Sequence, residues 1–254
     1  MRICIDVRCL MAGRKTGVEE YTLNLLLSLL EIDKKNSYVL FLNSWKTPRF
    51  DFSVFEKYPH VQVKRLKIPN KLLNLSFWYL GFPKIDRLVG GADVVFSPNI
   101  IFGATSKKSK LIVTIHDLSF ERYPQHFPWK RRFWHIFINS KKICQRADRI
   151  MAVSESTKND IVRLYGVSES KIWIVPSAVL EKFKIIDRNN EQLVKTKEKY
   201  NLPYKFILYL GTIEPRKNIT GLVRAYDQLQ KNAQDENNEE LGKYKLIIAG
   251  ESGW

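Results

Sequence analysis

Short apolar runs of strand length alternate along this chain with segments whose apolar residues recur at helical spacing, and that alternation restricts the fold more than any other feature. The runs fall at residues 2–7, 38–42, 61–66, 93–96, 111–115, 149–153, 172–175, 206–210 and 245–249. Between them, Val18, Tyr21, Thr22, Leu25 and Leu29 form one amphipathic stripe. Residues 156–165 open on Ser and Thr and are followed by Gly166, as helix caps require. Strands separated by helices run parallel, because a tight hairpin cannot join them. The expectation is therefore an α/β protein built on doubly wound parallel sheet. The pattern lapses between 180 and 203, where the chain is polar, holds an Asn-Asn pair and reaches Pro203 before a new strand begins. The expected organisation is an N-terminal Rossmann-like domain over 1–182, a linker with a short helix over 183–203, and a second Rossmann-like domain over 204–254. Only one β-α-β fits after the linker, so that second domain is expected to be partial. The polar patch at 231–240 (KNAQDENNEE) reads as a solvated loop extending the preceding helix.

Neither an export signal nor a membrane span is expected. MRICIDVRC carries Arg2 and Asp6 where a signal's apolar core would lie, and no run approaches the ~18 apolar residues of a span. Cys4, Cys9 and Cys144 are too few and too scattered for a disulfide framework or a zinc cluster, so they read as reduced thiols. Lys and Arg number 42 against 26 Asp and Glu, a net charge of +16 that points to an anionic partner. A solvated, lysine-rich surface is the competing explanation. No nucleic-acid motif gathers the charge, and nucleic acid is not an expected partner.

Chemistry concentrates at strand ends. FILYLGTIEPRKNITGLVRAY (206–226) is an apolar run that breaks at Gly211 into a loop with Glu214, Arg216 and Lys217 before a helix begins. Cations beside a helix start at the carboxyl end of a buried strand favour a phosphorylated ligand, since free N–H groups and the helix dipole attract anions there. GRKTGVEEY (13–21), after the first strand, is a second glycine-bearing helix start; it is not GxGxxG, and taken alone such a glycine marks a tight turn more often than a binding loop. LIVTIHD (111–117) places His116 and Asp117 at a strand's carboxyl end, where a histidine can bond a substrate hydroxyl or act as a cap. Ser154 reads as the cap of the next helix. The segment 126–146 mixes Trp129, Phe133, Trp134 and Phe137 with six Lys and Arg and no acid, and 68–84 is its companion. Such helices lie on an anionic bilayer or pack a core with a cationic outer face. No metal-binding, Walker A or GxSxG pattern is present.

As a set, IDVRCL, TGVEEYTLNLL, VTIHDLSFERYPQHF, ADRIMAVSESTKNDIVRLYGVSESKIWIVP, YLGTIEPRKNITGLVRAY and LIIAGESGW resemble glycosyltransferase family 4, the retaining GT-B enzymes, and within it the bacterial mannosyltransferase-like group of O-antigen and exopolysaccharide assembly. The resemblance implies a GT-B-type fold and hexose transfer, mannose favoured, from a nucleotide sugar (GDP-mannose or a UDP-hexose) to a polyprenyl-linked glycan or polysaccharide, with no metal. It implies donor-diphosphate binding by Gly17, Thr212, Arg216 and Lys217, with Arg216 supplying a charge that many members place where Thr212 stands. His116 matches a catalytic histidine that, with Asp117, meets the acceptor. Ser177 and Ala178 depart from the family's Asn-Gly, and the family's paired glutamates lie beyond residue 254. The implied site is cytoplasmic, at the inner face of an anionic membrane, and the isolated chain is expected to be inactive. The alternatives are a non-catalytic glycan-, lipid- or partner-binding module, a nucleic-acid binder, and another GT-B enzyme such as a sugar-nucleotide epimerase.

Overall fold

The computed structural model describes residues 1–13, 16–179, 183–187 and 189–253. The expected domain limit at 182 lies outside them, as does Trp254. The chain divides into two compact units, Met1–Arg122 with Arg132–Leu180, and Tyr123–Arg131 with Glu181–Trp254.

The first unit runs β1 (Arg2–Asp6), α1 (Gly17–Ile32), β2 (Ser37–Asn43), β3 (Val61–Leu66), α2 (Asn70–Tyr79), α3 (Ile85–Leu88), β4 (Val94–Ser97), β5 (Lys110–Ile115), α4 (Ser119–Arg122), α5 (Trp129–Ile138), α6 (Ser140–Arg146), β6 (Arg149–Ala152), α7 (Glu155–Tyr165) and β7 (Ile172–Ile174), with the first residues of α5 belonging to the second unit. The strands form a seven-stranded sheet in the order β3-β2-β1-β4-β5-β6-β7. Every pairing is parallel, from Ile5 beside Leu40 to Ile150 beside Ile172.

Both faces of the inner strands are covered, so β2 and β5 are nearly continuous apolar runs, whereas edge strand β3 (VQVKRL) leaves Gln62, Val63 and Lys64 exposed. In β2, Val39 and Phe41 join one core layer with Leu73, Phe77, Ile85 and Ile161 of α2, α3 and α7. Its Tyr38, Leu40 and Leu42 join the other layer with Leu26 and Leu30 of α1. Each such fully buried aliphatic side chain contributes about 1.5–3 kcal/mol.

One helical detail of this unit departs from expectation. The buried line of α1 is Glu19, Thr22, Leu26 and Leu30, rotated by one residue from the stripe read in the sequence. Leucines surround the second half of this helix, so spacing alone cannot choose a face. Tyr21 is drawn away to the sheet, where its hydroxyl meets Thr114 Oγ1 at 3.3 Å. By contrast, α7 has the anticipated caps: Ser154 Oγ accepts from Thr157 N, and Gly166 ends the helix in the left-handed region.

The second unit holds α8 (Glu191–Lys199), β8 (Phe206–Leu210), α9 (Ile219–Asp235), α10 (Glu239–Gly242) and β9 (Lys245–Ala249). Strands β8 and β9 pair in parallel as a two-stranded sheet. Strand β8 was expected to be buried, yet Leu208 is 54% and Leu210 77% exposed. A two-stranded sheet with one crossover helix has too little surface to cover both faces. The polar patch at 231–240 is not a loop throughout: α9 continues to Asp235, and Asn238 caps α10 through Leu241 N. Polarity there marks exposure of a helix rather than its end.

Candidate functional site

In the first unit the sheet order reverses between β1 and β4, since the chain builds outward to β3 on one side and to β7 on the other. Ligands of open α/β sheets bind at the carboxyl ends of strands beside such a reversal. Four groups gather there. Asp6 closes β1, Ser97 and Pro98 close β4, His116 follows β5, and Ser154 follows β6.

Asp6 and Arg8 form a buried ion pair, 4% and 6% exposed. Arg8 Nε and Nη2 both donate to the carboxylate, the latter at 2.6 Å, and Nη2 also donates to Phe102 O. The guanidinium lies over the rings of Phe41 and Phe77, at 5.4 and 5.3 Å. Sequence reading assigned this pair no role; its only signal was two charges closing an otherwise apolar run.

His116 is half-buried. Its Nε2 lies 2.9 Å from Pro98 O, an acceptor, so Nε2 carries the proton and Nδ1 is left as the accepting nitrogen. Burial pushes the imidazole below its ordinary pKa, opposed by the Pro98 carbonyl and by Asp117, which favours the neutral ring. Tyr21 packs edge-on against it at 4.8 Å, and Thr157 Oγ1 donates to its carbonyl. Because Tyr21 lies one turn beyond Gly17 on α1, the start of that helix and His116 are neighbours.

Gly17 itself occupies open space, where an added Cβ would meet nothing within 4 Å. The end of α1 is already satisfied by a capping box: Thr16 N donates to Glu19 Oε2 at 2.8 Å, and Glu19 N to Thr16 Oγ1. Asp117 is exposed, and its Oδ1 accepts from Ser119 N and Ser119 Oγ, which closes a turn at the start of α4.

In the second unit, Thr212, Arg216 and Lys217 share the loop between β8 and α9. This loop lies beside the one after β9, with Gly211 N donating to Ala249 O, Ile213 N to Glu251 O and Gly253 N to Ile213 O. Gly250 makes the approach feasible, since a Cβ there would stand 1.9 Å from Gly211 O.

The two expected cations are not equivalent. Arg216 Nε lies 2.6 Å from the buried Glu214 carboxylate, so its charge is largely compensated. Lys217 is exposed and, among the described residues, in no ion pair. Asn218 follows in the left-handed region and caps α9 by accepting from Gly221 N at 3.3 Å. The uncompensated cation therefore stands beside the first turn of a 17-residue helix, whose dipole adds to its attraction for an anion.

Comparison with known proteins gives these arrangements a context. Residues 15–180 match the family model of Glycosyltransferase Family 4. The serotype-specific mannosyltransferase WbdA of Escherichia coli is 31% identical over 140 residues, 55% of this chain and 16% of that protein. The O-antigen chain mannosyltransferase B of the same organism is 29% identical over 162 residues, 63% of this chain and 39% of that protein. The chain thus spans well under half the length of these relatives. The structure of HepE from Anabaena in complex with UDP and glucose matches 98% of this chain and 70% of that one, with a TM-score of 0.59 at 13% identity. That likeness is one of fold.

Proposed function

Since this chain belongs to Glycosyltransferase Family 4 and has its GT-B-type α/β architecture, we propose that it serves the retaining transfer of a hexose, mannose foremost, from a nucleotide sugar to a lipid-linked or polysaccharide acceptor. The mannosyltransferase relatives support the sugar. Lys217 is the observation that carries the proposal: an exposed ammonium, free of ion pairs among the described residues, beside the α9 start.

On this reading the donor diphosphate lies against Lys217 Nζ and the first turn of α9. As the bond from the anomeric carbon to the diphosphate oxygen breaks, charge grows on the leaving phosphate, and a fixed cation there stabilises it most. The acceptor hydroxyl oxygen bonds to the same carbon with retained configuration and passes its proton to the departing diphosphate oxygen. In the first unit His116, neutral with Nδ1 as acceptor, is the group that would accept a hydrogen bond from an acceptor hydroxyl. Arg216 contributes less than Lys217, because Glu214 already holds it; Thr212 shares their loop in the second unit, while in the first unit the α1 start at Gly17 and the turn closed by Asp117 are the donor- and acceptor-facing elements on this reading.

Calorimetric titration with GDP-mannose and with UDP-glucose tests this. One of them should bind, and Lys217→Ala should weaken it about tenfold or more, as expected for a hydrogen bond to a charged group worth about 1.5–3 kcal/mol. His116→Gln should leave donor affinity unchanged. Failure of both nucleotides to bind, or indifference to Lys217→Ala, would reject the proposal and favour a non-catalytic glycan- or lipid-binding module.

The proposal extends to an anionic membrane surface. No helix among the described residues is long and apolar enough to cross a membrane. Helix α2 nevertheless exposes Leu72, Leu75, Trp78 and Tyr79, and α5 exposes Trp134, Ile136 and Phe137. The rings of Trp78 and Phe137 meet edge-to-face at 5.1 Å, which joins the two helices into one apolar face. Arg132, Lys141 and Lys142 stand exposed on α5 and α6. Apolar insertion with a cationic flank suits an acidic bilayer. The chain should sediment with phosphatidylglycerol vesicles and not with phosphatidylcholine ones; equal behaviour with both would count against it.

A further inference from the structure

A cavity of about 840 Å³ opens in the first unit, within the ~300–1,000 Å³ of small-molecule sites. Phe77, Ile85, Val95, Phe102 and Ile138 supply its apolar wall, and Trp78, Leu80, Ile136 and Phe137 its exposed mouth. Its inner end reaches Asp6, Ser97 and Asn99, at the sheet edge that carries His116.

The charge on the lining is one-sided. Lys84, Arg87, Lys107, Lys108, Lys142 and Arg146 all line it, and none of them is in an ion pair among the described residues. Asp6 is the only acid among the described lining residues, and Arg8 is paired with it at 2.6 Å. The nearby Asp86 is occupied by Ser106 N at 2.7 Å. Burial, together with the positive charges of Arg146 and Arg87, pushes the Lys84 ammonium below its ordinary pKa, against the pull of Asp86. Cations that outnumber their counter-charges, six against Asp6 and the neighbouring Asp86, around an apolar chamber are relieved by an anion. The wall is itself anchored, since Ile85 N donates to Ala104 O at 2.7 Å and Arg146 Nη2 to Thr105 O.

We propose that this cavity binds a single-chain phosphate amphiphile, with the chain along Phe77, Phe102 and Phe137 and the phosphate among Lys84, Lys142 and Arg146. Neither half of the ligand suffices: free phosphate leaves the apolar wall wet, and a neutral amphiphile leaves the cations unmatched. The inference stands on the cavity alone and its test contains no sugar nucleotide, so its failure would leave the transferase reading untouched.

The intact chain is titrated with dodecyl phosphate below its micellar concentration, with dodecyl maltoside and with inorganic phosphate, by calorimetry. Dodecyl phosphate should bind at least about tenfold more tightly than either control. Lys84→Gln combined with Arg146→Gln should remove about tenfold of that affinity. Lys107→Gln with Lys108→Gln, on an exposed turn where folding is not at stake, should weaken binding in the same direction. Farnesyl phosphate separates the sources: equal affinity assigns the site to phosphate lipids at large, and a clear preference assigns it to an isoprenoid carrier, both within the proposal. A neutral amphiphile or free phosphate binding as well as dodecyl phosphate, or undiminished affinity in both double variants, would overturn it.

Discussion

Burial and a carbonyl act on the His116 imidazole in opposite senses, and burial is the larger effect. The folded chain therefore resists protonation that the unfolded chain accepts below about 6.5, the ordinary imidazole value. Between the lowered folded pKa and that value the unfolded state binds more protons, so stability falls as pH falls. Urea unfolding of wild type and His116→Gln at several pH values should show wild type losing ground to the variant below neutrality; a constant gap would mean that the ring is not held neutral. Burial likewise favours the protonated form of the three thiols, pushing Cys4 well up, Cys9 up to about 11 and Cys144 to about 12. What could be read at this scale was position. His116 was identifiable because it directly follows an apolar run. The Asp6–Arg8 pair was not, because its meaning depends on Phe41, Phe77 and Phe102, which are remote in sequence. Glu214 stands two residues from Arg216 in plain view, but its burial, which ties down the guanidinium, has no local signature.

Among the elements, the inner strands of the first unit were the most legible, because parallel strands covered on both faces are apolar nearly throughout. Both ends of α7 were equally plain, fixed by Ser154 and Gly166. The face of α1 was not, since its leucines admit more than one stripe, and the buried line runs through Glu19, Thr22, Leu26 and Leu30. The junction of β8 and β9 hinges on a residue whose role no local pattern announces. Gly250 sits at φ 154°, with the Gly211 carbonyl where its side chain would be. That carbonyl belongs to backbone already bonded through Gly211 N to Ala249 O, so it has no room to yield. Gly250→Ala should cost about 1–3 kcal/mol in backbone strain alone, and more from the clash. Hydrogen exchange at β8 and β9 should accelerate selectively, leaving β1 and β5 protected; uniform exchange in variant and wild type would show that the two loops are not held together.

For the molecule as a whole, the charge of +16 has more than one use. Some of it is distributed over the surface, some crowds the cavity rim, and Lys217 stands apart on the second unit. Composition announced an anionic partner without saying where it binds. The attraction of exposed Lys and Arg to an acidic vesicle is screened as the Debye length shrinks from ~10 Å at 0.1 M salt to ~3 Å at 1 M. Vesicle binding should therefore weaken with added salt yet retain a residue carried by Trp78, Phe137 and their apolar neighbours. Arg8 gives the first unit a mechanical property. One guanidinium grips the end of β1, rests on Phe41 of β2 and Phe77 of α2, and holds the Phe102 carbonyl. A tilt of α2, the helix that carries Trp78, would strain that grip, so disturbance at the greasy face is transmitted to the rim beside His116 rather than absorbed on the way. Arg8→Met would strand the Asp6 carboxylate, at about 3–5 kcal/mol, and amide exchange along α2 and in the turn after β1 should quicken together if the two move as a single lever.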